Sequence, residues 1–327
     1  LYTSKHKVKE KNLEDSLINS WGSKFYQDNM YPFISNFWKF DISNMSKDYK
    51  ARVTPPRIRY AIQKIFEFKN KRDFKSNTQQ SLESKITIKD KPKFRNFYLY
   101  PKFGCKRVID FLKDDIILND GIIKTNSIIT DLNSSNDHIE IQYIQGKNVY
   151  TDVFDKIYWA ASILDLINLL KLKNYNQLNY RKLLTINIGV DKKDLLGDKV
   201  HASYVMIPNI LFHRIHEPNK ISPYMTPKNK TSACLEITLD KKINNPTDLV
   251  KKSLNQFCLF YNLKKSEIHY LGCNYYEEAY PLLFIDYNED LARFKEALSK
   301  KTSKISLIGR TGQYFPYNVV ETLNSTL

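Results

Sequence analysis

The sequence predicts a mixed fold, α/β with α+β character, built as two domains or interlocked lobes. Three observations carry this. Stretches with helical spacing of apolar residues alternate irregularly with β-branched and aromatic runs. A chain of 327 residues, 42% hydrophobic, is long for a single core. The order of elements shows no internal repeat.

The elements follow in chain order. Residues 1–12 are polar and basic and read as a loop. From 13 to about 68 the pattern is helical, with Leu17, Trp21, Phe25, Tyr26 and Met30 recurring at helix spacing. Pro32 is expected to interrupt it. Asn44 or Ser46 caps a short helix running to Val53, and Thr54-Pro55-Pro56 starts another carrying Ile58, Ala61, Ile62 and Ile65. Residues 69–93 read as a mobile loop. Tyr98 and Tyr100 share one face of a strand, 101–105 turn the chain, and Val108, Ile109, Leu112 and Ile116 mark an amphipathic helix. Strands are predicted across 122–160, split by the turns NSSND and QGKN, and a helix over 163–170. LLTINIGV, VHASYVMIP, LFHRIHE and ACLEITL then make a larger antiparallel sheet. Thr247 caps a helix carrying Leu249, Val250, Leu254, Phe257, Cys258 and Tyr261. A short strand at 268–271, a loop, a helix over 289–300, a buried strand ISLIG, the loop RTGQYFPY and a terminal helix complete the chain.

Composition excludes several classes. Twenty-two Tyr and eighteen Phe rule out a disordered chain, and nine Gly with twelve Pro rule out a collagen-like one. No apolar run approaches the roughly 18 residues of a membrane span. The net charge is +16, which could serve an anionic partner. Its lysines are scattered and Asn and Ile are abundant, so AT-rich coding bias is the favoured explanation and no nucleic-acid partner is expected. Cys105, Cys234, Cys258 and Cys273 have no C-x-x-C spacing. Free thiols in a reducing, cytoplasmic setting are expected, and no metal site. No three glycines make G-x-G-x-x-G and there is no G-x-x-x-x-G-K, so a self-contained dinucleotide or P-loop site is excluded within these residues. The chain starts at Leu1 rather than Met, and an omitted N-terminal part is expected.

Three constellations could carry chemistry. Gly309-Arg310-Thr311-Gly312 follows an apolar strand and precedes a helix, an arrangement that lets backbone and a two-pronged guanidinium approach a phosphate or an electron-rich ring. Taken alone it reads better as an ordinary strand–helix turn. Arg214, between His213 and His216 in HRIHE, needs an anionic partner if buried, for instance Glu217 or Glu236. In a strand Phe212, Arg214 and His216 share one face and His213 the other, which argues against a metal site. Glu277 and Glu278 beside Tyr280 read as a solvated pair, and Tyr275, Tyr276, Tyr280, Tyr314, Phe315 and Tyr317 either line a flat-ligand pocket or belong to the core.

The succession FYQDNMYPFISNFWKFDISNMSKDYKARV, YPKFGCKRVIDFL, DKIYWAASILDLINLL, FHRIHEPNKISPYMTP, EEAYPLLFIDY and IGRTGQYFPYNVVETL resembles the flavin-containing amine oxidase superfamily from about Leu13 to the end. Its protoporphyrinogen-oxidase-like and UDP-galactopyranose-mutase-like branch is the nearest in look. The resemblance implies FAD on a split, here partial, Rossmann-like domain with an inserted substrate domain of antiparallel sheet and helix. It places 1–100 as a mostly helical cap, 101–165 and 281–327 in the FAD domain, and 166–280 in the substrate domain. It implies cofactor contacts at Gly104, Gly309, Arg310, Thr311, Gly312, Tyr317, Asn318 and Val319. Substrate contacts are implied at Arg214, Tyr280, Tyr100 and Tyr314, and no catalytic base is indicated. The family's fingerprint and first βαβ unit correspond to a region before Leu1, and NVV replaces an acidic motif common in relatives.

The function so implied is hydride transfer from a small molecule to FAD, in cell-surface sugar metabolism by the branch's associations. A UDP-galactopyranose-mutase-like isomerase of nucleotide sugars using reduced flavin is one alternative. A non-catalytic binding protein on a degenerate flavoprotein fold is the other. Homo-oligomerisation is compatible with the sequence.

Overall fold

A computed structural model describes residues 8–50, 100–135, 137–197, 200–205, 207, 209–317 and 319–324. The readings at 54–68, at 69–93 and at Tyr98, and the cofactor role of Asn318, lie outside the described residues.

The first helix, α1 (Leu13–Trp21), begins where Asn12 accepts the Asp15 N–H at 2.8 Å, with Glu14 and Asp15 favourably placed at the positive end of the helix dipole. Gly22, at φ +81°, ends it. A single turn, α2 (Ser23–Phe25), and a π-helical turn (Tyr26–Met30) lead into α3 (Tyr31–Trp38). The expected interruption at Pro32 is absent, because Pro32 sits in the first turn of α3, where a missing N–H and a fixed φ are tolerated. Ser46, not Asn44, is the cap, accepting the Asp48 N–H at 3.3 Å over the single turn Lys47–Tyr49.

After the turn at 101–105 comes α4 (Lys106–Leu118), thirteen residues of which none is buried. Ile109, Phe111 and Leu118 are 63%, 68% and 82% exposed, so its apolar face meets no core. Tyr100 is in coil, not strand. A three-stranded meander follows, β1 (Ser127–Ser134), β2 (Ile139–Gln145) and β3 (Asn148–Phe154). The next strand, β4 (Ile157–Trp159), does not continue the meander. It pairs in parallel with a strand from the far end of the chain, described below. Ser162 then caps α5 (Ile163–Leu169), accepting the Leu164 N–H at 3.0 Å.

The larger sheet contains β5 (Tyr180–Val190), β6 (Ala202–Tyr204), β7 (Arg214–His216), β8 (Thr231–Leu239) and β9 (Ile268–Pro281), ordered β6-β7-β8-β5-β9 and antiparallel throughout. Strand β9 corrects the sequence reading. Where a short strand and a loop are expected, a fourteen-residue strand runs along β5 with two register shifts. Helix α6 (Thr247–Phe260) packs Val250, Phe257 and Cys258 on one sheet face, against Leu184, Ile186, Ile188, Ile215, Leu235 and Ile237. Thr247 is its first residue rather than its cap, and Asn245 accepts the Thr247 N–H at 3.0 Å.

The chain closes with α7 (Tyr287–Lys301), β10 (Ile305–Leu307), the turn α8 (Gly309–Gly312) where a loop is expected, and α9 (Val319–Asn324). Residues Ile305, Ser306 and Leu307 pair with Ile157, Tyr158 and Trp159. A second core joins α1, α3, α5, α7 and this parallel ladder through Leu13, Ile34, Trp38, Leu166, Phe294 and Ile305. All four cysteines are free. Among the described residues, no helix is long and apolar enough to cross a membrane and no group of His, Cys, Asp or Glu is placed to hold a metal ion.

Candidate functional site

Two neighbourhoods predicted from sequence converge on Tyr280, near the end of β9. The first is the polar face of the large sheet, opposite α6. Arg214 on β7 stands across from Glu236 on β8. Its Nη2 donates to both carboxylate oxygens, at 2.6 and 2.5 Å, and His216 Nε2 reaches the same carboxylate at 2.8 Å. Glu236 is thus the partner of Arg214. The alternative, Glu217, is buried elsewhere, accepting the Leu195 and Leu196 N–H groups and the Thr231 hydroxyl. Burial pulls the Glu236 carboxyl upward, but the His216 hydrogen bond and the Arg214 charge win and hold it down at about 2. Glu236 raises the Arg214 guanidinium against the opposing effect of its burial.

The sequence expectation for His213 fails for a geometric reason. Strand β7 is only three residues long, so alternation does not extend back to 212 and 213. Phe212 enters the core under α6. His213 lies edge-on to Phe37 of α3 and 3.8 Å from Glu236, fully buried with neither ring nitrogen hydrogen-bonded. Burial pushes its pKa down to about 3. A lowered pKa means that the unfolded chain takes up this proton first. The stability carried by neutral His213 is complete above its ordinary 6.5 and is lost as pH falls toward 3. Glu236 adds a loss of the same sign as pH falls from its ordinary 4.5 toward 2. Urea midpoints should therefore drop steadily on acidification from pH 6.5, and His213→Leu should flatten the upper part of that slope. An unchanged slope in the variant would exclude His213 as its source.

The second neighbourhood is the exit of β10. Gly309 has φ +71°, and an added Cβ would meet no atom within 4 Å, so this backbone is open to close approach. Arg310 folds back, its Nε and Nη2 donating to the Tyr317 carbonyl at 2.9 and 2.6 Å. Thr311 Oγ1 donates to the Ala160 carbonyl at 2.7 Å. Gly312 is a packing residue, since a Cβ there would lie 2.2 Å from the Trp159 carbonyl oxygen. Tyr317 stacks obliquely on Phe315 at 4.8 Å, and Val319 starts α9.

Tyr280 links the two neighbourhoods. It touches Phe37, with ring centroids 5.8 Å apart, and burial raises its phenol pKa. Glu236 reinforces that rise, while Arg214 and Arg310 both oppose it. Tyr49, which also senses Arg310 and Tyr280, donates to the Pro281 carbonyl. Sequence reasoning missed Tyr49 and missed Arg181, which stands across from Tyr280 on β5. Arg181 lies just before the run LLTINIGV and beside Lys182, so the local pattern gives it no distinguishing signal.

Other expected residues sit apart. Tyr314 is fully buried, and its hydroxyl accepts the Asn179 N–H at 2.7 Å while facing the Asn179 and Leu282 carbonyls. That phenol is spent on backbone and offers a ligand nothing. Gly104, at φ +92°, is seated on Met225, and Ser222 Oγ donates to the Lys102 carbonyl at 2.6 Å. Tyr100 lies beside Cys105, and burial followed by that thiol raises its phenol pKa. The described contacts of Tyr100 and Gly104 do not reach the Tyr280 group. Glu277 and Glu278 are not simply solvated. With Asp165, Lys182, Tyr275 and Tyr276 they line a separate cavity of about 640 Å³.

No protein-family model matches the sequence, and neither does any curated protein. Solved structures do match. Reduced UDP-galactopyranose mutase superposes with a TM-score of 0.69 at 20% identity, over 95% of this chain and 64% of that one. A protein of Exiguobacterium provisionally named protoporphyrinogen oxidase gives 0.62 at 11% identity, with the same coverages. The fold is that of these two proteins. The chain spans about 64% of the length of each neighbour.

Proposed function

We propose that this chain forms the substrate-facing part, and part of the cofactor-facing side, of an FAD-dependent oxidoreductase acting on a small molecule. The observation that carries the reading is the convergence on Tyr280. A polar sheet face bearing Arg214 meets a strand–glycine–arginine turn whose backbone at Gly309 is open. FAD fits that turn chemically. Gly309 offers backbone to a flat or phosphorylated group, Arg310 is fixed in place by the Tyr317 carbonyl, and Val319 begins the following helix. When bound, the flavin supplies the hydride acceptor. The residues of the chain would do the rest. Arg214, held by Glu236, and Tyr280 would orient the substrate. Phe37 and Tyr204 would keep water from it, since Phe37 packs on Tyr280 and the Arg214 guanidinium lies 5.8 Å from the Tyr204 ring centre. In this reading 101–165 and 281–327 form the cofactor side, and 1–100 with 166–280 the substrate side.

The likeness to UDP-galactopyranose mutase, together with three arginines near Tyr280, favours one second reading, an isomerase acting on a nucleotide sugar.

The test is the visible absorption spectrum of the natural gene product. A flavin double band that survives gel filtration is expected. A protein that stays colourless after incubation with FAD would sink both readings and leave a binding protein on a flavoprotein fold. If the band is present, substrate turnover by oxidised as against reduced protein separates oxidoreductase from isomerase.

A further inference from the structure

Among the described residues, one buried cation on the polar sheet face has no ion-pair partner. Arg181, the second residue of β5, pairs across from Tyr280 and is only 4% exposed. Its Nε has no hydrogen-bond partner. Among the described residues no carboxylate forms an ion pair with it. The nearest acidic influence is Asp240, an exposed residue just beyond β8. The guanidinium lies 5.8 Å from the Phe40 ring centre, and Tyr49 is its other electrostatic neighbour.

Arg214, on the same face, also has a buried Nε without a hydrogen-bond partner, but its charge is answered by two bonds to Glu236. The three guanidiniums around Tyr280 therefore face one buried carboxylate. Burying an unpaired charge is costly, and a guanidinium does not escape by losing its proton. The Phe40 ring offsets about 2 kcal/mol of that cost.

We propose that Arg181 is an anion-binding residue, and that the ligand of this pocket carries an oxyanion, a carboxylate or phosphate group, seated on its guanidinium beside Tyr49 and Tyr280. The planar guanidinium suits such a group, which would supply the missing counter-charge and accept the unused Nε–H. The inference rests on reading the Tyr280 face as a ligand pocket but not on flavin. It is readable in colourless protein, so it can fail while the flavin assignment stands, and the reverse.

The test is thermal unfolding of the wild-type protein, Arg181→Met and Arg181→Lys. Inorganic phosphate and acetate are titrated separately, with sodium chloride holding ionic strength constant. Wild-type melting should rise with one of the two, and which one identifies the oxyanion. In Arg181→Met the half-saturating anion concentration should increase about tenfold or more, the worth of a charge-assisted hydrogen bond. The same variant without anion should melt at or above the wild type, because an uncompensated buried charge has been removed. Wild-type melting indifferent to both anions, or a shift that survives undiminished in Arg181→Met, overturns the proposal. Should Arg181→Met not fold, Arg181→Lys decides. A weakened shift supports two-pronged anion binding by the guanidinium, and a shift of full size overturns it.

Discussion

Gly312→Ala should destabilise the protein by about 3 kcal/mol or more, at the upper end of what an overpacked methyl costs. The new Cβ would stand 2.2 Å from the Trp159 carbonyl oxygen and 3.3 Å from its carbon. Neither atom can yield cheaply. The same carbonyl accepts the Ile308 N–H at 3.0 Å, and Trp159 pairs with Leu307 in the β4–β10 ladder. The methyl therefore forces α8 off the ladder and disturbs the link between residues near 159 and residues near 307. Gly309→Ala is the matched control. It meets no atom within 4 Å but must hold φ +71°, so it should cost only about 1–2 kcal/mol. Urea unfolding followed by tryptophan fluorescence reads both. Equal costs for the two variants would refute the packing role of Gly312.

Glu236→Ala should cost about 3–5 kcal/mol, the range for removing one partner of a buried ion pair. The carboxylate is 7% exposed and serves Arg214 and His216 together. Its loss leaves a guanidinium and an imidazole facing each other without a counter-ion. The double variant Glu236→Leu with Arg214→Met should recover most of the loss, because an apolar pair of similar volume removes the stranded charge. A single variant within about 1 kcal/mol of the wild type would show that the pair is not held in the buried geometry described.

Much of the fold is legible in the residues, and the failures have physical causes. The runs LLTINIGV and ACLEITL are rich in β-branched side chains and become β5 and β8. Asn12 and Ser162 act at helix starts by accepting free N–H groups. Strand β9 escapes the periodicity because, among the described residues, it is an edge strand of the sheet, paired only with β5. Gly272 and paired tyrosines and glutamates then resemble a loop. The parallel pairing of β4 with β10 joins segments far apart in sequence, and local pattern carries no information on it. Within the site, Arg214 and Arg310 both act on the Tyr280 phenol. Tyr314 illustrates the limit of such reading. A tyrosine that closes a backbone turn and one that lines a pocket look identical in sequence, and only its bonds to Asn179 and Leu282 tell them apart. Arg181 was hidden by the opposite ambiguity, since a strand shows which residues alternate but not what lies across from them.

Helix α4 has a consequence for how the molecule keeps time. None of its thirteen side chains is buried, so its backbone bonds are held by little beyond themselves. A helix of that length is marginal in water. Its amide protons should therefore trade with solvent through brief local fraying, on a clock set by the helix alone. The amides of β5, locked between β8 and β9, wait instead for the whole sheet to open. One chain thus carries two lifetimes, and the shorter belongs to α4.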